Sequence, residues 1–494
     1  MGRRRQTVVG SLMVASVMLL SSAPVHGQRL GPSAGTRAVA IGDRGPTALY
    51  FLGERGAFSA GDKISVINAN PFTATVTVTY FVRGHRPVVQ TDAYPPGARA
   101  RMEVAEQEFS GIGDVYAVEV SSPARLIAEH IRGYARSLHV PSASPNLSRV
   151  LYFAEGYTGG RAKEYLTLAN PGRSAAHIVV MAAPQASSAA DAPTERLTLR
   201  PGDAVTRDLG RDFGRRGTRS FGLIISGDRP VLAERVLRFD DSPAFPSQED
   251  RSDVSTAATG IERAATTLLF PYGSAAGPSF IAVLNPGRRP AAVRAHFSDS
   301  LGRTVGSAAL TVAPGARGTM DLGAVGRATA VYATVLTATV PIVAEESQYF
   351  GGSLSTGVRP GVALAGATAA ITRVVFPDLD LRNPSITFHL GQPKRQTVYL
   401  YNPTTTPITV TATYHADARS FTAGYANTVR KIVAYAVAAD GITTVDVNAD
   451  ASSIVTYPLG NGTLESTLDA AFVATGGGWG AQFVAAALTA PAAP

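Results

Sequence analysis

The stretch Tyr165-Leu166-Thr167-Leu168-Ala169-Asn170-Pro171-Gly172 is the most informative in the chain, because its ending recurs. An apolar run closed by Asn-Pro also occurs at Asn70-Pro71, Asn285-Pro286 and Asn402-Pro403. Proline lacks an amide hydrogen and cannot continue a central strand, while an asparagine side chain can close a local turn. The recurrence predicts one folding unit repeated along the chain, with the Asn-Pro pairs in turns.

A second phrase, an apolar run ending in Ala-Glu, repeats in step with the first. It ends at Glu129, Glu234 and Glu345, and it follows the glycine of a Pro-Gly pair by 32, 32 and 30 residues. Strand alternation predicts that these carboxylates point away from the core, where they would pair with arginine or protect an edge strand. A shared binding role is the alternative.

The second repeat shows about seven short apolar or alternating runs separated by turn signals, which is the pattern of an antiparallel β-sandwich. These runs are Val150–Phe153, Tyr165–Ala169, His177–Met181, Arg196–Leu199, Ala204–Leu209, Phe221–Ile225 and Val231–Phe239. Threonines alternate with apolar residues at 75–80 and 408–414, so these two runs should each have one buried face.

The sequence therefore predicts an all-β protein of four tandem immunoglobulin-like antiparallel β-sandwich domains after a signal peptide. The predicted boundaries are 1–27 for the signal peptide, 28–46 for a flexible lead-in, 47–140 for repeat 1, 150–240 for repeat 2, 241–265 for a linker, 266–351 for repeat 3, 352–372 for a linker and 373–494 for a divergent repeat 4. Repeat 4 lacks Ala-Glu, as terminal repeats without a neighbour often depart from the pattern.

The N-terminus has the features of an export signal. Arg3, Arg4 and Arg5 precede the apolar stretch Val8–Leu20, and Val25-His26-Gly27 offers small residues for cleavage. The chain has no cysteine, so each domain must be stabilised by apolar burial alone. No later segment is apolar and long enough to span a bilayer. We expect a secreted, extracellular protein associated with the cell surface.

No motif for enzyme chemistry withstands inspection, and we expect the protein not to be an enzyme. Gly31-Pro32-Ser33-Ala34-Gly35 has nucleophile-elbow spacing, but no strand precedes it and no helix follows. The eight histidines are scattered without the paired spacing of a zinc hydrolase. There is no phosphate-binding Gly-Lys loop, and catalytic residues and an organic cofactor are not expected.

Calcium is the one metal that the sequence suggests. Asp446, Asn448 and Asp450 alternate, and their oxygens would converge if the segment formed a calcium loop. Ala451 and Tyr457 stand where such a loop needs a glycine and a glutamate. A solvated strand face followed by a turn is the competing interpretation.

The formal net charge is +8, of which three charges belong to the leader. The basic stretch Arg207–Arg219 is interrupted by Asp208 and Asp212, so local ion pairs compete with contact to anionic wall polymers. Basic residues do not cluster with aromatic residues, and nucleic acid is therefore not an expected partner. Tyr134, Tyr157, Tyr272 and Trp479 are candidate aromatic contacts for a glycan.

Three segments resemble a repeat of secreted bacterial proteins of unknown function. They are Tyr152-Phe153-Ala154-Glu155-Gly156, Leu168-Ala169-Asn170-Pro171 and Pro230-Val231-Leu232-Ala233-Glu234-Arg235. The resemblance implies immunoglobulin-like modules in multidomain surface chains, and it brings no known active site.

Together these patterns predict a non-enzymatic extracellular protein with a structural or adhesive role. We expect self-association or binding to other surface proteins, with the protein as one subunit of a fibre or coat joined through sheet edges. An array of modules that binds glycans or cell-wall polymers is the alternative.

Overall fold

A computed structural model describes most of the chain. The predicted signal peptide, and all of the predicted lead-in except Pro46, lie outside the described residues. The described residues are 46–54, 63–68, 70–82, 84–103, 115–134, 137–139, 147–159, 162–185, 192–213, 220–239, 254–274, 278–326, 331–349, 352–353, 357–358, 361–370, 373–380, 396–416, 430–451, 459–466, 473–478 and 483–487.

The described chain is almost wholly β, and every named sheet is antiparallel. The all-β prediction is confirmed. No helix among the described residues is long and apolar enough to cross a membrane.

The strands fall into four groups, which we call units 1 to 4. Unit 1 contains Thr47–Glu54 (β1), Lys63–Ile67 (β2), Ala74–Val82 (β3), Val88–Tyr94 (β4), Arg99–Glu103 (β5), Val115–Ser122 (β6), Ile127–Tyr134 (β7) and Ser137–His139 (β8). Unit 2 contains Ser148–Phe153 (β9), Ala162–Ala169 (β10), Ala176–Pro184 (β11), Thr194–Leu199 (β12), Ala204–Asp208 (β13), Leu209–Asp212 (α1), Phe221–Phe239 (β14) and Val254–Thr259 (β15).

Units 3 and 4 repeat the same succession. Unit 3 contains Ala265–Ser274 (β16), Ser279–Leu284 (β17), Ala291–Ser298 (β18), Thr304–Val312 (β19), Arg317–Asp321 (β20), Gly323–Gly326 (α2), Val331–Tyr349 (β21), Gly352–Ser353 (β22), Gly357–Val358 (β23) and Gly361–Ala365 (β24). Unit 4 contains Arg373–Asp380 (β25), Gln396–Tyr401 (β26), Ile408–Ala416 (β27), Arg430–Val437 (β28), Ile442–Asp446 (β29), Val447–Ala451 (α3), Leu459–Ser466 (β30), Val473–Gly478 (β31) and Phe483–Ala487 (β32).

Each unit has two four-stranded layers with the same strand order. The first sheets run β1-β6-β3-β4, β9-β14-β11-β12, β16-β21-β18-β19 and β25-β30-β27-β28. The second sheets run β5-β2-β7-β8, β13-β10-β14-β15, β20-β17-β21-β24 and β29-β26-β31-β32. In units 2 and 3 one long strand, β14 or β21, contributes its first half to the first sheet and its second half to the second.

The two sheets of a unit enclose a shared apolar core. In β3, Val76, Val78 and Tyr80 are buried and pack with Ile64 and Val66 of the facing sheet. The predicted alternation at 75–80 is thereby confirmed, and the same holds in β27, where Val410, Ala412 and Tyr414 are buried.

A buried asparagine fastens the end of one strand to a neighbouring turn in every unit. The side-chain amide of Asn170 donates to the carbonyls of Ser174, Leu199 and Arg200 at 2.8, 3.0 and 3.2 Å. Its side-chain oxygen accepts the amide hydrogen of Gly172 at 3.0 Å. Corresponding bonds occur at Asn285 and Asn402. We call these residues latch asparagines, and the predicted turn role is confirmed for these three.

In unit 1 the latch asparagine is Asn68, not the Asn70 of the Asn-Pro pair. The Asn68 amide donates to the carbonyls of Phe72 and Tyr94, as Asn170 does to Ser174 and Leu199. Asn70 instead donates to the Asn68 side chain and to the Arg125 carbonyl. The Asn-Pro phrase therefore stands two residues after the latch position in this unit, although Asn68 makes the same hydrogen bonds as Asn170.

The recurring Pro-Gly pairs have a conformational cause. Gly97, Gly202 and Gly315 adopt φ values of 68°, 74° and 64°, which favour glycine. Each donates its amide hydrogen to the carbonyl of the latch asparagine. In unit 4, Asp440 takes this place with φ 50°.

The segments predicted as linkers at 241–265 and 352–372 are wrong in part, because each contains the last strand of a second sheet. Val254–Thr259 (β15) pairs with β14, and Gly361–Ala365 (β24) pairs with β21. After β15 the chain remains hydrogen bonded, since Ile261 exchanges two backbone bonds of 2.9 Å with Tyr152. Small and polar residues obscured these two strands in the sequence, although Thr256, Ala257, Ala258 and Leu364 are buried.

Successive units pack face to face, with the first sheet of one unit against the second sheet of the next. Apolar clusters fill these three interfaces. Their buried members are Leu52, Ala117, Ala169, Ala204 and Leu232 between units 1 and 2; Ala154, Ala183, Ala282, Leu284 and Val343 between units 2 and 3; and Leu269, Ala333, Ala367, Tyr401 and Ile442 between units 3 and 4.

The series of units closes on itself. Val375 in the first sheet of unit 4 packs with Ile67 and Ile127 in the second sheet of unit 1, and all three are buried. The last strands of the second sheets, β8, β15, β24 and β32, also contact one another in cyclic order. Eight sheets therefore form a ring with these strands at its centre. The expectation that unit 4 lacks a neighbour is wrong.

Candidate functional site

The highest concentration of buried charge lies between units 2 and 3. Glu164, Arg235 and Glu345 are inaccessible to solvent, and Glu155 and Arg317 are 7 % and 4 % exposed. Glu345 was predicted to point away from the core, where it would pair with arginine or protect an edge strand. It does pair with Arg235, but on a face that another unit covers and not at an open edge. Glu234 is likewise covered, being 2 % exposed between units 1 and 2. The Glu129 side chain lies outside the described residues.

The carboxylates of this cluster are held by atoms from both units. The Arg317 Nη2 atom lies 2.9 Å from Glu155 Oε2, and its Nη1 donates to Gln185 Oε1 at 3.1 Å. Glu345 Oε2 accepts the Glu155 amide hydrogen at 2.5 Å and lies 3.7 Å from Arg235 Nη2. Unit 2 supplies Glu155, Gln185 and Arg235, and unit 3 supplies Arg317 and Glu345. The cluster therefore joins the two units.

The strands explain why these charges meet. Glu155 is the second residue after β9, while Glu345 lies on β21 two residues after the interface residue Val343, on the same face of the strand. Arg235 pairs with Leu166 across β10 and β14, which points it into the interior of unit 2. Its guanidinium lies 6.0 Å from the centre of the Phe153 ring. Strand alternation thus points Glu345 of unit 3 toward unit 2 and Arg235 into the interior of unit 2, where the two side chains meet.

Burial changes the proton affinity of these carboxyl groups. The pKa of Glu164 is raised to about 8 because its charge is removed from water, although Arg235 and the Tyr157 amide partly oppose the shift. Burial also raises the pKa of Glu345, against the influence of Arg235. Nearby Glu346 has a pKa raised to about 8 for the same reason. Glu164 and Glu346 therefore hold a proton more tightly at neutral pH than a solvent-exposed carboxyl group does.

Such groups could transfer protons only if a substrate reached them. The carboxyl groups of Glu164 and Glu345 have no solvent-accessible surface. A recess between units 1 and 2, lined by His130, Glu234 and Thr259 among others, has an empty volume of about 180 Å³ but no room for the centre of a water molecule. The described contacts of the cluster join unit 2 to unit 3.

Other interfaces use other side chains at matching places. Tyr272 stacks on Tyr399 with ring centres 4.0 Å apart between units 3 and 4. Near that boundary Asp440 contacts His296 at 3.0 Å and accepts the Tyr401 hydroxyl hydrogen at 2.5 Å. Tyr272 is 6 % exposed, so its prediction as an exposed glycan contact is wrong.

The remaining predicted aromatic contacts gain no support. Tyr157 is half-buried. The side chains of Tyr134 and Trp479 lie outside the described residues. A platform of exposed aromatic rings on several units therefore stays a prediction.

The proposed calcium residues do not share one strand: Asp446 ends β29, while Asn448 and Asp450 lie on the short helix α3. Asp446 accepts the Ala449 amide hydrogen at 3.1 Å, and Asn448 is buried. Asp450 accepts the hydroxyl hydrogens of Tyr414 and Tyr435. The three side chains thus have separate surroundings, and no group of three His, Asp or Glu side chains in the described part of the chain could hold a metal. Calcium binding stays a prediction without structural support.

The basic stretch forms the local pairs that compete with ligand contact. Arg207 donates two hydrogen bonds of 2.9 Å to the Asp212 carboxylate. Asp208 caps α1 by accepting the Arg211 amide hydrogen at 3.1 Å. Arg215, Arg216 and Arg219 lie outside the described residues.

Comparison with known proteins adds little to this geometry. No family model and no curated protein matches the sequence. The chain is similar to Thermotoga maritima 1070, a crystal structure, with 16 % identity over 24 % of this chain and 95 % of that chain and a TM-score of 0.19. It is also similar to a tetra-tandem repeat in the extending region of a large adhesion protein, with 11 % identity over 89 % of this chain, 99 % of that chain and a TM-score of 0.11. At such TM-scores neither likeness bears on function.

Sequence reasoning missed the interface role of Glu155, Arg235 and Arg317. A signal was available in Ala233-Glu234-Arg235-Val236-Leu237, where two successive charges interrupt an apolar strand. Successive residues of a strand face opposite sides. Charges on both sides of an otherwise apolar strand indicate that both faces are covered.

Proposed function

We propose that this protein is a non-enzymatic extracellular component of the cell surface with a structural or adhesive role. Its four units would be immunoglobulin-like β-sandwich domains, exported by the leader at 1–27 and joined through sheet edges into a fibre or coat. Filament formation and cell adhesion follow from this proposal.

The use of charge in the molecule carries the proposal. The carboxyl groups whose pKa is raised by burial make their contacts inside or between units; they are those of Glu164, Glu345 and Glu346. A catalyst needs such groups within hydrogen-bond reach of a substrate. Their burial instead favours a rigid scaffold, since removal of either partner of a buried ion pair is strongly destabilising.

Because the ring is closed, assembly with another chain would have to use sheet edges. Val375, Ile67 and Ile127 cover the sheet faces that would otherwise permit end-to-end stacking. Edge strands β4, β12, β19 and β28 remain at the ends of the first sheets. In β4, Val88 and Val89 are 36 % and 58 % exposed. An exposed apolar edge strand is a template for pairing with another chain, so β4 is the favoured contact.

Negative-stain microscopy of the purified mature protein tests assembly. We expect filaments or sheets from the wild type, and discrete particles from Val89→Lys, because a charge on an edge strand opposes pairing. Arg86→Lys, which alters the neighbouring loop without changing charge, serves as the control. Discrete particles from the wild type at all concentrations and salts would contradict the fibre proposal.

The alternative function is an array that binds glycans or anionic cell-wall polymers. One observation favours the anionic version, namely a group of exposed arginines on units 2 and 3. These arginines form a surface, and its binding can be tested by experiment.

A further inference from the structure

Five exposed arginines lie at one end of units 2 and 3, beside the latch asparagines. They are Arg173, Arg200, Arg229, Arg288 and Arg289. Arg173 and Arg288 follow Asn170 and Asn285 in the same phrase, Asn-Pro-Gly-Arg. The repeat thus presents arginine at equivalent places on two adjoining units. Because the units are related by one step around the ring, equivalent loops lie on the same side of it.

Hydrogen bonds fix these arginines to one end of the sandwich. Asn170 binds the carbonyl of Arg200 at 3.2 Å, which brings the loop of Arg173 and the turn of Arg200 together. Arg229 lies in the bend of β14 next to Asp228, whose carboxylate accepts the His177 amide hydrogen at the start of β11 at 2.7 Å. The loop backbones are therefore held in place independently of any ligand.

The carboxylates at this end accept hydrogen bonds from backbone amide groups. Asp203 accepts the amide hydrogen of Arg200 at 3.2 Å, and Asp228 accepts that of His177. No ion pair of the five arginines is found among the described residues. By contrast, Arg207 and Arg303 each pair with a carboxylate. With five arginines against Asp203 and Asp228, the latch end thus retains a net positive charge.

We propose that the latch end of units 2 and 3 binds a flexible linear polymer with a phosphate group in each repeat. Guanidinium presents a planar fork of donors that matches phosphate oxygens, and arginine is less strongly hydrated than lysine. A polymer adds several such contacts, and releases its condensed counterions on binding. Loops of fixed position would lose little conformational entropy. This inference rests on the proposed surface location, and it names the partner.

Binding of the full mature chain to long-chain inorganic polyphosphate tests the inference. The variant Arg173→Gln/Arg229→Gln/Arg288→Gln removes three charges from the latch end. The matched control Arg196→Gln/Arg211→Gln/Arg294→Gln removes three exposed and unpaired charges elsewhere. We expect at least about tenfold weaker binding for the latch variant, a salt slope reduced by about three, and little change for the control.

Equal weakening in both variants would overturn the inference, because the attraction would then be diffuse. Tighter binding of polygalacturonate than of polyphosphate would overturn the phosphate assignment, and tighter binding of duplex DNA would overturn the flexible polymer. Microscopy of the latch variant separates this inference from the proposed function. Intact filaments that no longer bind polyphosphate would support both the proposed function and this inference. Intact filaments that bind polyphosphate as the wild type does would contradict only the inference.

Discussion

The Nη2 atom of Arg317 in unit 3 lies 2.9 Å from Oε2 of Glu155 in unit 2, and the two side chains are only 4 % and 9 % exposed. Asp299 and Arg303 form a pair with a similar separation of 2.6 Å, but the Arg303 side chain is 71 % exposed. Both side chains of the first pair are buried, whereas in the second pair Asp299 is 6 % exposed and only the arginine faces solvent. The two pairs therefore compare a buried arginine with an exposed one.

Loss of one member of the buried pair should be costly. We expect Arg317→Met to lower the free energy of unfolding by about 3–5 kcal/mol, because it leaves the Glu155 carboxylate buried without its partner. Arg303→Met should cost at most about 1 kcal/mol. Chemical denaturation measures both. The double variant Glu155→Gln/Arg317→Met should regain most of the loss, and failure to do so would show that the arginine acts mainly through packing.

Stability should depend on pH through the buried carboxyl groups. Glu164 and Glu346 have folded-state pKa values of about 8, above the ordinary value of 4.5, so the folded state binds their protons more tightly. The free energy of unfolding should therefore fall as pH rises from about 4.5 to about 8, and then level off. Denaturation at intervals between pH 5 and pH 9 measures this slope.

Glutamine at these two positions keeps the shape without the titrating proton. Glu164→Gln/Glu346→Gln should flatten the decline relative to wild type, while histidines and other groups contribute equally to both proteins. Parallel curves for the two proteins would mean that these carboxyl groups do not hold a proton at neutral pH.

A latch asparagine should contribute more than an ordinary turn residue. Asn170→Ala leaves the buried carbonyl of Leu199 and the part-buried carbonyl of Arg200 without their donor, and we expect a loss of about 3 kcal/mol. Asn170→Asp should also destabilise, since it keeps the acceptor for Gly172 but loses the donors. Ser174→Ala is the control, because only its backbone carbonyl is used, and it should change stability by about 0.5 kcal/mol or less. The midpoint of thermal unfolding reports all three.

Ring closure can be trapped covalently because the chain has no native cysteine. We expect Ile127→Cys/Val375→Cys to form a disulfide within one chain, since both residues belong to one buried cluster. Closure of so long a loop should stabilise the protein by up to about 5 kcal/mol. Intact mass and mobility on a non-reducing gel detect it. Ile127→Cys/Ile432→Cys, with Ile432 on an exposed edge, should not close, and linkage only between chains in the first variant would contradict the ring.

Local features of the fold were accessible from sequence because their causes are local. The strands of unit 2 and the latch turns follow from alternation, proline and asparagine chemistry. Positive φ at Gly202 explains why Pro-Gly recurs. The runs 221–225 and 231–239 were both correct, although they form one strand that passes between sheets.

Features that depend on neighbours could not be obtained in this way. Alternation places Glu345 on the face opposite the core, but it does not reveal that another unit covers that face. The closure between Val375 and Ile127 joins residues far apart in sequence, and no local pattern indicates it. The alternation of Asp446, Asn448 and Asp450 suggested converging calcium ligands, but the chain changes there from β29 to α3, and Asp446 and Asp450 bind different partners.

Because β8, β15, β24 and β32 contact one another in cyclic order, the order of the units around the ring does not depend on where the chain starts. A rearranged gene that begins between units 2 and 3 could therefore encode the same cyclic order of surfaces. The side chains at the boundaries thus determine which units are neighbours, and the covalent connections keep the partners at high local concentration.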